Sequence, residues 1–388
     1  MSFHGVDYFG IADLLTEEER LVQASIRRFV DEELLPVIGR HFRDGTFDAS
    51  WPRRLGALGA LGASLSGYGC AGLGPVAYGL IMQELERGDS GVRSFASVQG
   101  ALVMYPIHSY GSDEQKDRWL PAMARGEAIG CFGLTEPDFG SNPAGMRLSA
   151  RAHGDEFVLN GEKRWITSGG LADVAVVWAK TDDGTVRGFL VPRGTPGFTT
   201  RDIHGKFSLR ASVTSELIFQ DCVVPRSALL PGVSGLRGPL SCLNQARFGI
   251  SFGVIGAAMA CYDEALGYTK ERAQFGRPLA GHQLVQLKLV DMLEEITKAQ
   301  LLALQLGRLK EAGKVRPQQV SLAKRNNVRM ALECARTARD LLGANGITDE
   351  YQSGRHMCNL ESVFTYEGTD HIHTLIVGQD ITGQAAFD

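Results

Sequence analysis

Residues 361–376 read ESVFTYEGTDHIHTLI, and the middle of this stretch suits neither a helix interior nor a strand. Gly368 costs helix stability, while Thr369 has the side chain to cap the helix that His371-Ile372-His373-Thr374-Leu375-Ile376 begins. Glu367 therefore stands at a helix-to-helix junction, between the aromatic Tyr366 and a glycine, and projects toward whatever lies beside it. Taken alone it reads as a solvated loop glutamate. Its company along the chain turns that reading around.

Before the junction, helical periodicity covers about 240–269, 282–312 and 317–342. Val285, Leu289, Met292 and Ile296 fall at i, i+4, i+7 and i+11, one stripe of a helix. Gly313 and Pro317 mark a break, so these helices should fold back on one another as a four-helix bundle domain over 236–388. Between 126 and 235 the period is that of strands. Phe157-Val158-Leu159 and Lys163-Arg164-Trp165-Ile166-Thr167 flank Asn160-Gly161, which predicts a hairpin with a type I′ turn. Val174–Ala179 and Val186–Val191 flank Asp183-Gly184 as a second hairpin, and Glu216–Phe219 is a further strand, together an antiparallel β domain. Residues 1–125 are helical: Thr16-Glu17-Glu18-Glu19 is a capping box opening a helix to about Glu33, before Pro36, and helices follow at about 51–61 and 76–86. Gly67-Tyr68-Gly69-Cys70-Ala71-Gly72 matches GxGxxG, but no strand precedes it, so it reads as a loop between helices. The fold class is α+β.

A chain of 388 residues has room for two or three domains. Its net charge of −4 and lack of a basic run give no reason to expect nucleic acid or an anionic membrane as partner. No apolar window nears the roughly 18 residues of a membrane span, so no membrane insertion is expected. The opening residues are acidic, without a signal core or an Arg-rich presequence, which points to a bacterial cytoplasm, or to the mitochondrial matrix only after removal of a presequence. Seven cysteines without a CxxC imply free thiols, and the scattered histidines imply no metal site.

Helical, β and helical domains in that order resemble the acyl-CoA dehydrogenase family. Cys131-Phe132-Gly133-Leu134-Thr135-Glu136-Pro137 with Gly140-Ser141-Asn142, then Trp165-Ile166-Thr167, Arg272-Ala273-Gln274-Phe275-Gly276, Leu342-Gly343-Ala344-Asn345-Gly346 and Tyr366-Glu367-Gly368-Thr369 carry the resemblance over essentially the whole chain. It implies FAD as cofactor, an acyl-CoA substrate, electron-transfer flavoprotein as acceptor and a homotetramer. Glu367 is then the base that removes the α-proton of the thioester. Ala246 occupies the place where some relatives carry the base, just before Arg247, and cannot take a proton.

The resemblance further implies that Phe132, Leu134, Thr135, Trp165, Ile166 and Thr167 face the flavin. Arg272, Gln274 and Phe275 reach the FAD of a neighbouring subunit, and Gly343, Gly346, Thr369 and His371 complete the cofactor site. Ser141, Asn244 and Arg247 match positions on the CoA chain or at the substrate end, with helix packing left open for the last two.

Glu84-Leu85-Glu86-Arg87-Gly88-Asp89-Ser90-Gly91-Val92-Arg93-Ser94 decides the substrate. Glu84 and Arg87 read as a solvated helix end. Arg93 leads into the apolar run Ala101-Leu102-Val103-Met104, and a buried guanidinium left unpaired would cost roughly 3–5 kcal/mol, so it needs an anion. This segment, with Lys206–Ser212 and Gly346–Tyr351, is similar to the glutaryl-CoA dehydrogenase branch of the family. There the matching arginine grips the distal carboxylate, helped by the counterparts of Ser94, Ser97 and Thr167, while Glu86 and Tyr366 match residues of decarboxylating members. Val92, Gly88, Gly100, Ser168-Gly169-Gly170, Ala344 and Asp370-His371 depart from that pattern. Three readings stand: a decarboxylating glutaryl-CoA dehydrogenase, with a non-decarboxylating one or one of another dicarboxylyl-CoA beside it; a dehydrogenase of a short monocarboxylic acyl-CoA with Arg93 paired to Glu86; and a noncatalytic scaffold.

Overall fold

Thr16 opens the first helix as expected, its hydroxyl accepting from the Glu19 amide at 3.2 Å while the Glu19 carboxylate accepts from the Thr16 amide at 2.8 Å. This computed structural model describes residues 5–387. The helix α1 (Glu17–Phe29) does not stop before Pro36. It passes through a π turn at Val30–Leu34 into α2 (Leu35–Asp44), and the wider turn just before Pro36 lets the helix continue past a residue that has no amide to donate. After α3 (Trp51–Ala57) the GxGxxG segment is a loop, and α4 (Pro75–Gly88) and α5 (Ser90–Ser97) follow. A second π turn (Val98–Met104), α6 (Tyr105–Tyr110) and α7 (Asp113–Ala124) close the helical part.

The strands are β1 (Gly130–Gly133), β2 (Ser149–His153), β3 (Glu156–Thr167), β4 (Val174–Thr181), β5 (Val186–Pro192), β6 (Phe198–Asp202) and β7 (Thr214–Pro225). They form one sheet in the order β1-β4-β2-β3-β7-β6, with β5 also on β4. The Asp183-Gly184 hairpin is present as the antiparallel β4–β5 pair, whereas β4 runs parallel to β1 and to β2. The Asn160-Gly161 hairpin is not formed. Both residues lie inside the continuous β3, at a shift of its register against β7. Asn160 donates across to Asp221 at 3.1 Å, and a Cβ on Gly161 (φ 134°) would come within 2.9 Å of the Leu148 Cα, so this glycine serves a bulge and a close backbone approach.

The chain returns to helices with α8 (Arg237–Glu271), a small ribbon of β8 (Ala273–Gln274) and β9 (Arg277–Pro278), α9 (Gln283–Glu311), α10 (Pro317–Leu341), α11 (Gln352–Thr365) and α12 (Asp370–Thr382). Leu289, Met292 and Ile296 are buried along α9, as the stripe predicts. α4 lies against α8 so closely that a Cβ on Gly256 would sit 1.8 Å from the Gln83 carbonyl oxygen. Glu84 and Arg87 are not solvated. Both are buried under α1, where Glu84 pairs with Arg27 at 2.7 Å and Arg87 pairs with Glu84 at 2.9 Å and Asp31 at 2.7 Å. The charges on the two helices compensate one another, which lets this face of α4 leave water.

Candidate active site

α11 ends at Thr365, and the backbone turns through Glu367 in the left-handed region (φ 53°), which a non-glycine residue holds only under tertiary constraint. Two cations supply it. Arg247 on α8 donates from Nε to the Glu367 carbonyl at 2.8 Å. Lys324 on α10 donates to the carbonyls of Val363, Tyr366 and Gly368 at 2.9, 3.0 and 2.8 Å. Thr369 then caps α12, accepting from the Ile372 amide at 3.1 Å. The turn directs the Glu367 side chain inward, where Oε2 is shielded from solvent and has no hydrogen-bond partner. Burial pushes the carboxyl up to about 7, against the pull of Arg93, Arg247 and Lys324. A carboxylate poised there can accept a proton from carbon near neutral pH.

Arg93 is 0% exposed and has an anion inside the protein. Its Nε donates to Glu86 Oε2 at 2.7 Å and its Nη2 to Glu86 Oε1 at 3.3 Å and to the Tyr366 hydroxyl, next to the base. Burial alone would favour the neutral guanidine, yet Glu86 and then Tyr366 hold the proton on. The pair fits because α8 carries glycine opposite it: a Cβ on Gly253 would lie 2.2 Å from Glu86 Oε2. One part of the guanidinium is unused. Nη1 is buried without a partner, and the hydroxyl of Ser97 is buried four residues on along the same helix face. Tyr78, on the face of α4 that carries Glu86, brings a second buried hydroxyl within reach of Ser97. Ser94 is buried on α5 as well.

The flavin candidates gather along β1 and the end of β3. Phe132, Leu134 and Ile166 are buried, and Thr135 and Thr167 are half-buried with neither hydroxyl engaged in a hydrogen bond among the described residues. Lys163, buried beneath them, donates to the Leu134 carbonyl at 3.0 Å and to Glu136 at 2.9 Å, and the Arg164 amide donates to the Thr135 carbonyl at 2.8 Å, which fixes the two segments side by side. Trp165 takes a left-handed φ of 63° and holds its indole 56% exposed instead of packing it away. A flat aromatic presented to solvent beside two free hydroxyls fits an isoalloxazine ring.

The remaining candidates divide. Asn244 is half-buried on α8, three residues before Arg247. Ser141 is exposed in the loop after β1. Arg272, Gln274 and Phe275 stand on the exposed ribbon beyond α8, Phe275 with 94% of its surface in solvent. Gly343 and Gly346 belong to a tight turn after α10 that reaches the same end of α8, where Asn345 donates to the Tyr268 hydroxyl at 3.0 Å. His371 is exposed on the first turn of α12, because its neighbour Asp370 is the residue that turns inward, gripped by Arg329 at 2.6 and 2.5 Å.

Sequence reasoning missed Lys324, Tyr78 and Asn359. Asn359 accepts from the Leu209 amide and donates to Asp89, the cap of α5, each at 2.8 Å, so it joins the 206–212 loop to the helix that bears Arg93. No local signal marks Asn359. Lys324 could have been found, since it shares a helical stripe with Val320, Asn327, Val328 and Ala331, all buried.

Family models described as the N-terminal, middle and C-terminal domains of acyl-CoA dehydrogenase match residues 16–127, 131–222 and 234–382. A glutaryl-CoA dehydrogenase from Mycobacterium smegmatis, solved in complex with FADH2, is 55% identical, with a TM-score of 0.98 and 100% of both chains covered. Butyryl-CoA dehydrogenase from Megasphaera elsdenii is 32% identical, with a TM-score of 0.91 over 95% of this chain and 98% of that one. The human mitochondrial short-chain specific acyl-CoA dehydrogenase is 35% identical over 370 residues, 94% of this chain and 90% of its own length.

Proposed function

From the premise that this chain belongs to the acyl-CoA dehydrogenase family and is an FAD-dependent acyl-CoA dehydrogenase, we propose that it oxidises and decarboxylates glutaryl-CoA to crotonyl-CoA and carbon dioxide. The observation that carries this reading is the guanidinium of Arg93, fully buried, engaged at Nε and Nη2 and unpartnered at Nη1. A distal carboxylate would accept from Nη1, with the Ser97 hydroxyl beside it, whereas a butyryl chain would leave Nη1 unsatisfied. The likeness to the mycobacterial glutaryl-CoA dehydrogenase supports it.

FAD, when bound, supplies the acceptor for the hydride that leaves the β-carbon. Phe132, Leu134, Thr135, Trp165, Ile166 and Thr167 would hold its ring, and Gly343, Gly346 and Thr369 would lie toward its distal half. Arg272, Gln274 and Phe275 would serve a neighbour's cofactor, and His371, in solvent, is left with the weakest claim. Glu367 takes the α-proton. Arg93, with Ser94 and Ser97, then holds the carboxylate of the glutaconyl product until carbon dioxide leaves, and Glu86 and Tyr366 fix that guanidinium. The protonated Glu367 is placed to return its proton to the dienolate. Ser141, Asn244 and Arg247 order the CoA end and the base loop. Domains at 1–125, 126–235 and 236–388, electron-transfer flavoprotein as acceptor, a homotetramer and a bacterial cytoplasmic site belong to the same proposal. Among the described residues, no helix is long and apolar enough to cross a membrane.

A second reading, a short-chain monocarboxylic dehydrogenase, is favoured by the Glu86 pairing, which already gives Arg93 an anion, and by the human short-chain relative. Arg93→Met separates the two. For a diacid enzyme kcat/KM for glutaryl-CoA falls by about 100-fold or more while butyryl-CoA gains relative to it. An equal loss with both substrates would assign Arg93 to packing.

A further inference from the structure

We propose that Lys324 is the positioning residue of the catalytic base: it ties three carbonyls on either side of Glu367 into one cradle and holds its charge within electrostatic reach of the Glu367 carboxylate. The inference rests on Glu367 being the base. Lys324 is buried, its Nζ is shared by Val363, Tyr366 and Gly368 at 2.8–3.0 Å, and Glu367 lies inside that span of chain. Those carbonyls come from the end of α11 and from the junction itself, so one side chain bridges the last turn of the helix and the turn that carries Glu367. Only the ammonium form has three hydrogens to give, so the cradle selects the charged state. Burial pushes Lys324 down to about 7, while the Glu367 carboxylate supports the ammonium and is in turn held lower by it.

The groups facing Glu367 from the other elements do not titrate in the same range. Arg93 on α5 and Arg247 on α8 stay charged. Burial raises Tyr78 on α4 and Cys242 on α8 to about 12 and Tyr366 higher still, and lowers His373 on α12 to about 3, so these stay neutral. Between pH 6 and 9, roughly, Glu367 and Lys324 are the pair that changes charge.

The test is the pH profile of anaerobic flavin bleaching in the holoenzyme, with whichever of glutaryl-CoA and butyryl-CoA the parent enzyme uses better, for K324Q, K324R and E367Q. K324Q keeps two N–H donors for the loop and removes the charge. Its acid limb should move up by about one pH unit, a loss of about fivefold at pH 7 that closes by about pH 9, while K324R keeps the parental limb. A K324Q profile that is lower at every pH with its limb in place, or unchanged throughout, overturns the inference. So does a K324Q protein that cannot hold flavin while K324R can, because a cradle confined to one loop leaves the bundle standing. Parental bleaching by E367Q would instead remove the base assignment itself.

Discussion

Glu367 shows how one residue is made reactive at a cost to the fold. Its carboxyl titrates at about 7 in the folded chain against an ordinary 4.5, so the native state binds this proton more tightly than the unfolded state does. The side chain therefore costs nothing below about pH 4, and stability is lost as the pH rises between the two values, by about 3 kcal/mol once both states are ionised. Glu367→Gln should melt above the parent by a margin that widens from about pH 5 to pH 8, and it should no longer let substrate bleach the flavin, since an amide cannot act as base. Thermal melts at the two pH values check the first part; a margin that stays constant would mean that the carboxyl is not desolvated. The polar residues around it differ in how visible they were. Glu367 and Arg93 carry family motifs, and the Glu86 pairing stood among the readings of the sequence, but the three carbonyls on Lys324 depend on contacts that spacing along the chain does not encode.

At the scale of elements, local chemistry foretold what local chemistry controls. The Thr16 capping box, the buried stripe on α9, the Asp183-Gly184 turn and the cap at Thr369 all form as read. Asn160-Gly161 did not become a turn, because Asn160 finds Asp221 and Gly161 admits Leu148, partners outside any local window. Glu84 and Arg87 were misread for the same reason, since Arg27 on α1 and Asp31 in the π turn after it, which compensate them, lie far back along the chain. The α4–α8 contact is set by tertiary structure too, and it supports the site directly. Gly253→Ala would drive a methyl into the Glu86–Arg93 pair, and overpacking there should cost about 1–3 kcal/mol in urea unfolding and reduce turnover of glutaryl-CoA. Unaltered stability and turnover would show that α4 and α8 have slack between them.

Over the whole molecule, apolar surface left in water points to a second copy of the chain. Phe275 stands clear of the body on its ribbon, and Leu284, Leu287 and Val290 are exposed along the start of α9. We expect light scattering to find a tetramer, or at least a dimer, and Phe275→Asp to lower the FAD content of the purified protein without unfolding the single chain. An active, FAD-saturated monomer would contradict this. Family membership was legible in the order of motifs, whereas the identity of the acid rests on one buried guanidinium and its free Nη1. The most direct test of that claim is product analysis after reaction with glutaryl-CoA and, separately, butyryl-CoA. The account predicts crotonyl-CoA and carbon dioxide in equal amounts from glutaryl-CoA and turnover of butyryl-CoA slower by about 100-fold or more. Glutaconyl-CoA accumulating without carbon dioxide, or butyryl-CoA turning over as fast as glutaryl-CoA, would contradict it.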